Sequence, residues 1–185
     1  MSQTTQNILE ISGLRKWFPV KSSQLFGGEK KFVKAVDGVD LSVRYGETLG
    51  IVGESGCGKS TLGRTILHLL DSTDGKIFFE GKDITQVDRS RLRELRRHMQ
   101  IIFQDPFSSL DPRMSISEII SEPLEIYRLC KGKAELNQTV SRLMDTVGLA
   151  ARLAHSYPHE LDGGRRQRIG IARALALGPK FIVCD

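Results

Sequence analysis

Cysteine is scarce. The 185 residues contain three, Cys57, Cys130 and Cys184, far apart and without the close spacing of a metal site. This excludes a disulfide-stapled scaffold and a zinc ribbon, and it reads as reduced thiols in a cytoplasmic setting. No apolar run approaches the roughly 20 residues that cross a bilayer. The first seven residues are polar, so the expectation is a chain neither exported nor membrane-spanning by itself. Internal repeats and low-complexity tracts are missing too, which leaves a globular chain. With 39% hydrophobic and 26% charged residues it can bury a substantial core, as one α/β domain or one and a half. A net charge of +5 and an isoelectric point near 9.2 are compatible with nucleic acid, anionic lipid or polyphosphate. The basic residues are scattered except at 89–97 and 165–168, and both runs read as solvated helix faces.

What is present is the run Gly53, Glu54, Ser55, Gly56, Cys57, Gly58, Lys59, Ser60, Thr61, which meets every fixed position of the phosphate-binding loop G-x-x-x-x-G-K-[ST]. Three glycines let the backbone curl so that successive N–H groups point into one concavity, and such a nest binds anionic oxygens without a side-chain donor. Lys59 is expected to reach the β- and γ-phosphates of a nucleotide, with the Ser60 hydroxyl on Mg²⁺. Glu47 to Val52 reads as a strand entering the loop. Ser60 to Leu70, apolar at Leu62, Ile66, Leu67, Leu69 and Leu70, reads as a helix leaving it.

Upstream, Ile8 to Leu14 and Val39 to Val43 alternate as strands, separated by an exposed loop over 20–32, so an antiparallel sheet is expected before the nucleotide loop. Downstream, Ile77 to Glu80 reads as a strand, Asp88 to Arg97 as a basic helix, and Gln100 to Gln104 as a buried strand. Pro106, Pro112 and Pro123 then break the chain, and helices take over to about Leu161 as an insertion in the α/β core. Ser115 to Glu118 fits a capping box, and Lys133 to Val147 is a helix stopped by Gly148. Gly163 and Gly164 open a helix with Ile169, Ala172, Leu175 and Ala176 on one face. Phe181 to Asp185 is a buried parallel strand with an acidic tip. Ligands of open parallel sheets gather at the carboxyl ends of strands, so Gly53, Gln104 and Asp185 are expected to converge. Asp185 suits Mg²⁺ held through water, and Gln104 suits contact with Mg²⁺ or the attacking water.

Lys59 to Thr61, the loop Gln104 to Pro106, and the stretch from His159 to Leu175 together resemble the ATP-binding subunit of an ABC transporter, from about Ile8 to Asp185. Ala35 to Val39 and Phe103 to Met114 are similar to the oligopeptide/dipeptide importer branch, which has nickel importers among its near relations. The resemblance implies a P-loop NTPase (RecA-like) core over 53–104, an N-terminal antiparallel β subdomain over 8–52, a helical subdomain over 105–164, and a signature helix with the Walker B strand over 165–185. It implies that Phe18, with Trp17 as the alternative, stacks on adenine, and that Gln104 links the active site to the membrane subunits. It further implies ATP and Mg²⁺ as ligands, a second ATPase subunit as a head-to-tail partner, two transmembrane permease subunits, and an extracytoplasmic peptide-binding protein acting indirectly. The expected location is cytoplasmic, on the inner face of the membrane, and no nucleic acid is expected.

Two departures from the family pattern stand out. Its signature LSGGQ is here Leu161, Asp162, Gly163, Gly164, Arg165, which puts a carboxylate where a hydroxyl would meet phosphate oxygens. The glycines keep the N–H donors of a helix start, and Asp caps a helix as well as Ser, so the change should trouble binding rather than folding. The family also has a Glu after the position of Asp185, a later His, and further strands. The expectation is a C-terminally truncated copy, a fragment of a longer product, that alone hydrolyses ATP hardly at all. Competing readings are a kinase or GTPase, a soluble ABC-type ATPase acting on nucleic acid or ribosomes, and a non-catalytic regulatory partner of a functional ATPase. The first leaves the Gly163 helix without a role, and the second lacks a coiled-coil insertion and a second nucleotide loop.

Overall fold

The computed structural model describes residues 6–20 and 31–185. The chain forms two compact units, Met1–Arg93 and Glu94–Asp185.

The first unit is built on a four-stranded sheet in the order β2-β1-β3-β4. Strand β1 (Asn7–Pro19) runs antiparallel to β2 (Phe32–Arg44) and to β3 (Asp74–Phe79), which pairs with the short β4 (Lys82–Asp83). The pleat sends Ile11 opposite both Leu41 and Ile77, and Leu9, Ile11, Leu14, Val36, Ile77 and Phe79 are buried. Both long strands outrun the sequence expectation. The run Arg15 to Phe18 does not alternate in hydropathy, yet it stays extended because its backbone pairs with residues 32–37 and its charges find cross-strand partners, Arg15 with Asp74 at 3.1 Å for example. Of the loop expected between the strands, residues 21–30 lie outside the described residues.

The strand expected over 47–52 is not formed. β structure exists through its ladder, and among the described residues none pairs with this segment. Its apolar side chains face outward, with Val52 96% exposed. The helix after the loop, α1 (Lys59–Ile66), is shorter than the expected run to Leu70. His68 turns left-handed at φ 52°, and the N–H groups of Leu69 and Leu70 return to the Arg64 carbonyl, which closes the helix in a tight C-terminal turn.

In the second unit, β5 (Met99–Ile102) pairs in parallel with β6 (Phe181–Cys184), and residues 94–98 of the helix α2 (Arg89–His98) lead into β5. The region expected to be helical holds α3 (Pro106–Ser109), α4 (Ile116–Ile126), α5 (Lys133–Thr146) and two 3₁₀ turns, Ala151–Leu153 and Pro158–Glu160. The long helix α6 (Gly163–Leu175) follows. Helices α4, α5 and α6 share one apolar core containing Ile116, Ile119, Ile120, Met144, Ile169 and Ala172, each at most 1% exposed. Both arms of the capping box at Ser115 and Glu118 are present, and Gly148 at φ 68° ends α5 as expected. Pro123 does not break the chain. It lies inside α4, where buried Ile119, Ile120 and Leu124 hold the helix together against the loss of one N–H donor.

Candidate nucleotide-binding site

The phosphate-binding loop is a bare turn resting on the start of α1. Gly58, in the left-handed region at φ 99°, is the N-cap of α1, and no side chain caps that helix. The first-turn amides are therefore left for a partner from outside the helix, at its positive end. A Cβ at Gly58 would meet the Ala35 carbonyl oxygen at 2.0 Å, so the close approach of β2 requires glycine there, whereas one at Gly53 would meet only the Cys57 side chain, its Sγ at 2.7 Å. Lys59 Nζ donates to the carbonyl oxygens of Gly53 at 2.8 Å and Glu54 at 2.7 Å, and lies 3.6 Å from Cys57 Sγ. Its charge is thus already folded into the concavity. Glu54, Ser55, Gly56 and Ser60 are exposed, and Thr61 is half-buried at the helix start. A cleft of 410 Å³ opens beside the loop, lined by Lys34 to Asp37, Val39 and Leu41 of β2, by Ile51 and Val52, and by Cys57, Gly58, Lys59 and Leu62.

The two aromatic candidates near the end of β1 differ sharply. Trp17 is committed: its Nε1 donates to Asp37 Oδ1 at 3.0 Å, its backbone N–H donates to Thr73 Oγ1 at 2.9 Å, and its ring lies 6.1 Å from that of Phe32. Phe18 is 37% exposed, with Lys16 Nζ 5.0 Å from its ring centre.

Gln104 and Asp185 come together at one end of the β5-β6 pair. The Asp185 N–H donates to the Ile102 carbonyl at 2.9 Å, and Gln104 follows β5 by two residues with its side chain exposed. Gly53 belongs to the first unit. Among the described residues, no group of three His, Cys, Asp or Glu gathers to hold a metal ion.

At the start of α6, Leu161 is buried while Asp162, Gly163, Gly164 and Arg165 are exposed. Asp162 is the N-cap: its Oδ1 accepts the Arg165 N–H at 2.8 Å, and its Oδ2 lies 3.5 Å from Arg165 Nε. The hydrogen bond from the Arg165 amide holds this carboxyl below its ordinary pKa, and the Arg165 charge adds to that. Asp162 is therefore anionic at neutral pH, at a helix start that would otherwise offer all its donors to a phosphate. From α6 three side chains also grip the segment on both sides of Gln104, from Phe103 to Ser109. Arg173 Nη1 donates to the Ser109 carbonyl at 2.6 Å, Gln167 Nε2 to the Phe103 carbonyl at 3.4 Å, and the Arg166 guanidinium stacks 3.7 Å from the Phe107 ring centre.

The sequence pattern of the ABC transporter family matches residues 36–185. The chain belongs to the ABC transporter family. Within it, the chain is 49% identical over 182 residues to the oligopeptide transport ATP-binding protein OppF of Bacillus subtilis, covering 98% of this chain and 57% of that protein. It is 50% identical to OppF of Salmonella typhimurium, covering 96% and 54%. It is also 47% identical to the glutathione import ATP-binding protein GsiA of Pectobacterium atrosepticum, covering 96% of this chain and 28% of that one. The chain spans about half the length of the OppF relatives. Among solved structures, it superposes on the ATP-binding cassette MJ0796, described as a dimer in a post-hydrolysis state bound to ADP and Pi, with a TM-score of 0.83 at 29% identity, covering 96% of this chain and 73% of that one. The fold is thus that of an ABC cassette, as the resemblance implied. No helix among the described residues is long and apolar enough to cross a membrane.

Sequence reasoning missed Lys34 and Asp37 as neighbours of the phosphate loop. Lys34 lay beyond the expected strand Val39 to Val43, and nothing in its local pattern announces that β2 passes beside Gly58. Ala35 to Val39 entered only through family resemblance.

Proposed function

We propose that this chain is the ATP-binding, energy-coupling part of an ABC importer for oligopeptides or dipeptides. The observation that carries the reading is the uncapped, glycine-dependent loop at 53–61 with Lys59 folded into it, on a chain about half identical to oligopeptide transport ATP-binding proteins. In this reading the loop amides and the ammonium of Lys59 hold a triphosphate, with Lys59 exchanging the Gly53 and Glu54 carbonyls for phosphate oxygens, and Phe18 receives the base. Mg²⁺ bound with a nucleotide needs only one or two protein oxygens. Ser60 would supply one, Asp185 would act through water, and Gln104 would contact the ion or the attacking water. The ion, when bound, neutralises and orients the phosphate oxygens.

The loop Leu161 to Arg165 would face the nucleotide of a second ATPase subunit, so that two chains close around ATP and reopen after hydrolysis. The surface around 105–164 would receive two transmembrane permease subunits, placing the protein on the cytoplasmic face of the membrane, and an extracytoplasmic peptide-binding protein would take part indirectly. The peptide assignment is favoured over nickel because the relatives above are peptide and glutathione proteins by name.

Titration of the full-length protein with ATP and Mg²⁺ by calorimetry should show binding. Complete lack of affinity for adenine nucleotides would overturn the reading.

The carboxylate at 162 weakens the signature face. In the assembled transporter, Asp162→Ser combined with Arg165→Gln should raise ATP turnover about tenfold, the scale of one charge-assisted contact to phosphate. The lowered pKa gives this a pH signature. A depressed carboxyl contributes its capping stability above the ordinary Asp pKa and loses it only as pH falls through the lower folded value. Acidification from about pH 8 to pH 5 therefore leaves Asp162 charged and should not mimic the substitution. Equal turnover of the double variant and the parent would remove the idea.

A further inference from the structure

Lys34 and Asp37 line the cleft beside Gly58 and Lys59, and the function proposed above gives them no task. Lys34 stands on β2 opposite Trp17 of β1. Its ammonium lies 4.7 Å from the centre of the Trp17 ring and 3.3 Å from Asp37 Oδ2. Both contacts are of the exposed kind that contributes little, since the Lys34 side chain is 55% and the Asp37 side chain 43% exposed. Asp37 does not depend on Lys34 for compensation. Trp17 Nε1 donates to Oδ1 at 3.0 Å, and Arg15 Nε lies 3.7 Å from the same oxygen. Releasing Lys34 therefore frees Oδ2 while the carboxylate stays held through Oδ1 beside the Arg15 charge.

The root of Lys34 is fixed where its tip is not. The next residue, Ala35, presses its carbonyl oxygen so closely on Gly58 that a Cβ there would come within 2.0 Å. A flexible ammonium is thus anchored at the wall of a cleft whose other wall is the phosphate loop. Lys59 enters that cleft from α1 and Lys34 from β2, so an extended polyanion lying in it meets a cation from each element.

We propose that Lys34 is a second phosphate-binding lysine of this site, which leaves Trp17 and Asp37 when a nucleoside di- or triphosphate enters the cleft. The inference rests on the reading that the loop at 53–61 binds a nucleotide. Its ligand is the phosphate chain, not the base. Its departure also removes a cation from the face of Trp17, the single tryptophan of the chain. Indole emission therefore reports the movement.

The test uses the full-length protein with Mg²⁺, titrated with ATP, ADP and adenosine by calorimetry and by tryptophan emission. Subtracting the signal of a Trp17→Phe variant isolates Trp17. Lys34→Met keeps the stem and removes the charge, Lys34→Gln provides a second neutral form, and circular dichroism checks that both are folded. The expected result is about a tenfold loss of affinity for ATP and ADP in both neutral variants, the scale of one charge-assisted hydrogen bond. Adenosine binding is unchanged, the nucleotide-induced change in Trp17 emission disappears, and Lys34→Arg restores affinity. Neutral variants that bind ATP within twofold of the parent would overturn the proposal while leaving the nucleotide site intact. So would an equal loss for adenosine, or a Trp17 signal that survives in Lys34→Met. A parent protein that binds no nucleotide would overturn both this inference and the reading beneath it.

Discussion

Gly58→Ala should lower nucleotide affinity by about a hundredfold or more in the full-length protein. Two costs coincide at this position. At φ 99° and ψ 5° the backbone is left-handed, which for a residue with a Cβ costs roughly 1–2 kcal/mol. The new methyl would also sit 2.0 Å from the Ala35 carbonyl oxygen, which is backbone and cannot rotate away. Relief requires β2 and the start of α1 to separate by more than 1 Å, and misplacement on that scale costs about a hundredfold in function at a site that works by alignment. Gly56 is the control. It too is left-handed, at φ 81°, but a Cβ there meets nothing within 4 Å. Gly56→Ala should therefore show the strain without the collision and lose clearly less affinity. Isothermal titration of the two variants separates the effects. A Gly58→Ala protein that binds ATP within a factor of about three of the parent would mean that the contact with Ala35 does not set the loop.

Ile169→Ala should destabilise the second unit by about 2–5 kcal/mol, measured by denaturant unfolding. Ile169 is fully buried on α6, in the core cluster that includes Leu110, Ile116, Ile120 and Met144. The substitution removes three carbons from a position packed among buried side chains of α4, α5 and its own helix, so collapse around the gap is limited. The same helix carries Arg166, Gln167 and Arg173, which hold the segment from Phe103 to Ser109, and its first residues belong to the candidate signature segment 161–165. Loss of packing at Ile169 therefore loosens two candidate functional segments through one helix. Ile169→Val, which removes a single carbon, should cost about 0.5–1.5 kcal/mol. Equal and small losses for the two variants would show that the cluster adapts without a cavity.

Much of the candidate site could be read from residue types because its physics is local. The phosphate loop needs glycine where the backbone turns left-handed or passes close to other atoms, and Gly53, Gly56 and Gly58 stand at those places. The N-cap at Asp162 and the capping box at Ser115 are likewise made by residues within three positions of each other. The length of β1 was underestimated because Arg15 to Phe18 has no alternation, and only the partners on β2 and β3 keep it extended. The segment 47–52 was overestimated for the converse reason: its apolar residues Leu49, Ile51 and Val52 before the glycine-rich loop read as a strand, yet among the described residues no ladder forms there.

The sequence by itself therefore determined the phosphate loop, the helix caps, the α/β class and the family, all of which depend on residues close together along the chain or on a continuous pattern of them. Tertiary structure alone decided which side chains stand beside the loop. It put Lys34 and Asp37 at the wall of the cleft and Ala35 against Gly58. It tied Trp17 to Asp37 while leaving Phe18 exposed, and it set Asp185 next to the end of β5. The reason is that such neighbours come from strand register and packing between segments 20 to 80 residues apart, which no short-range periodicity encodes.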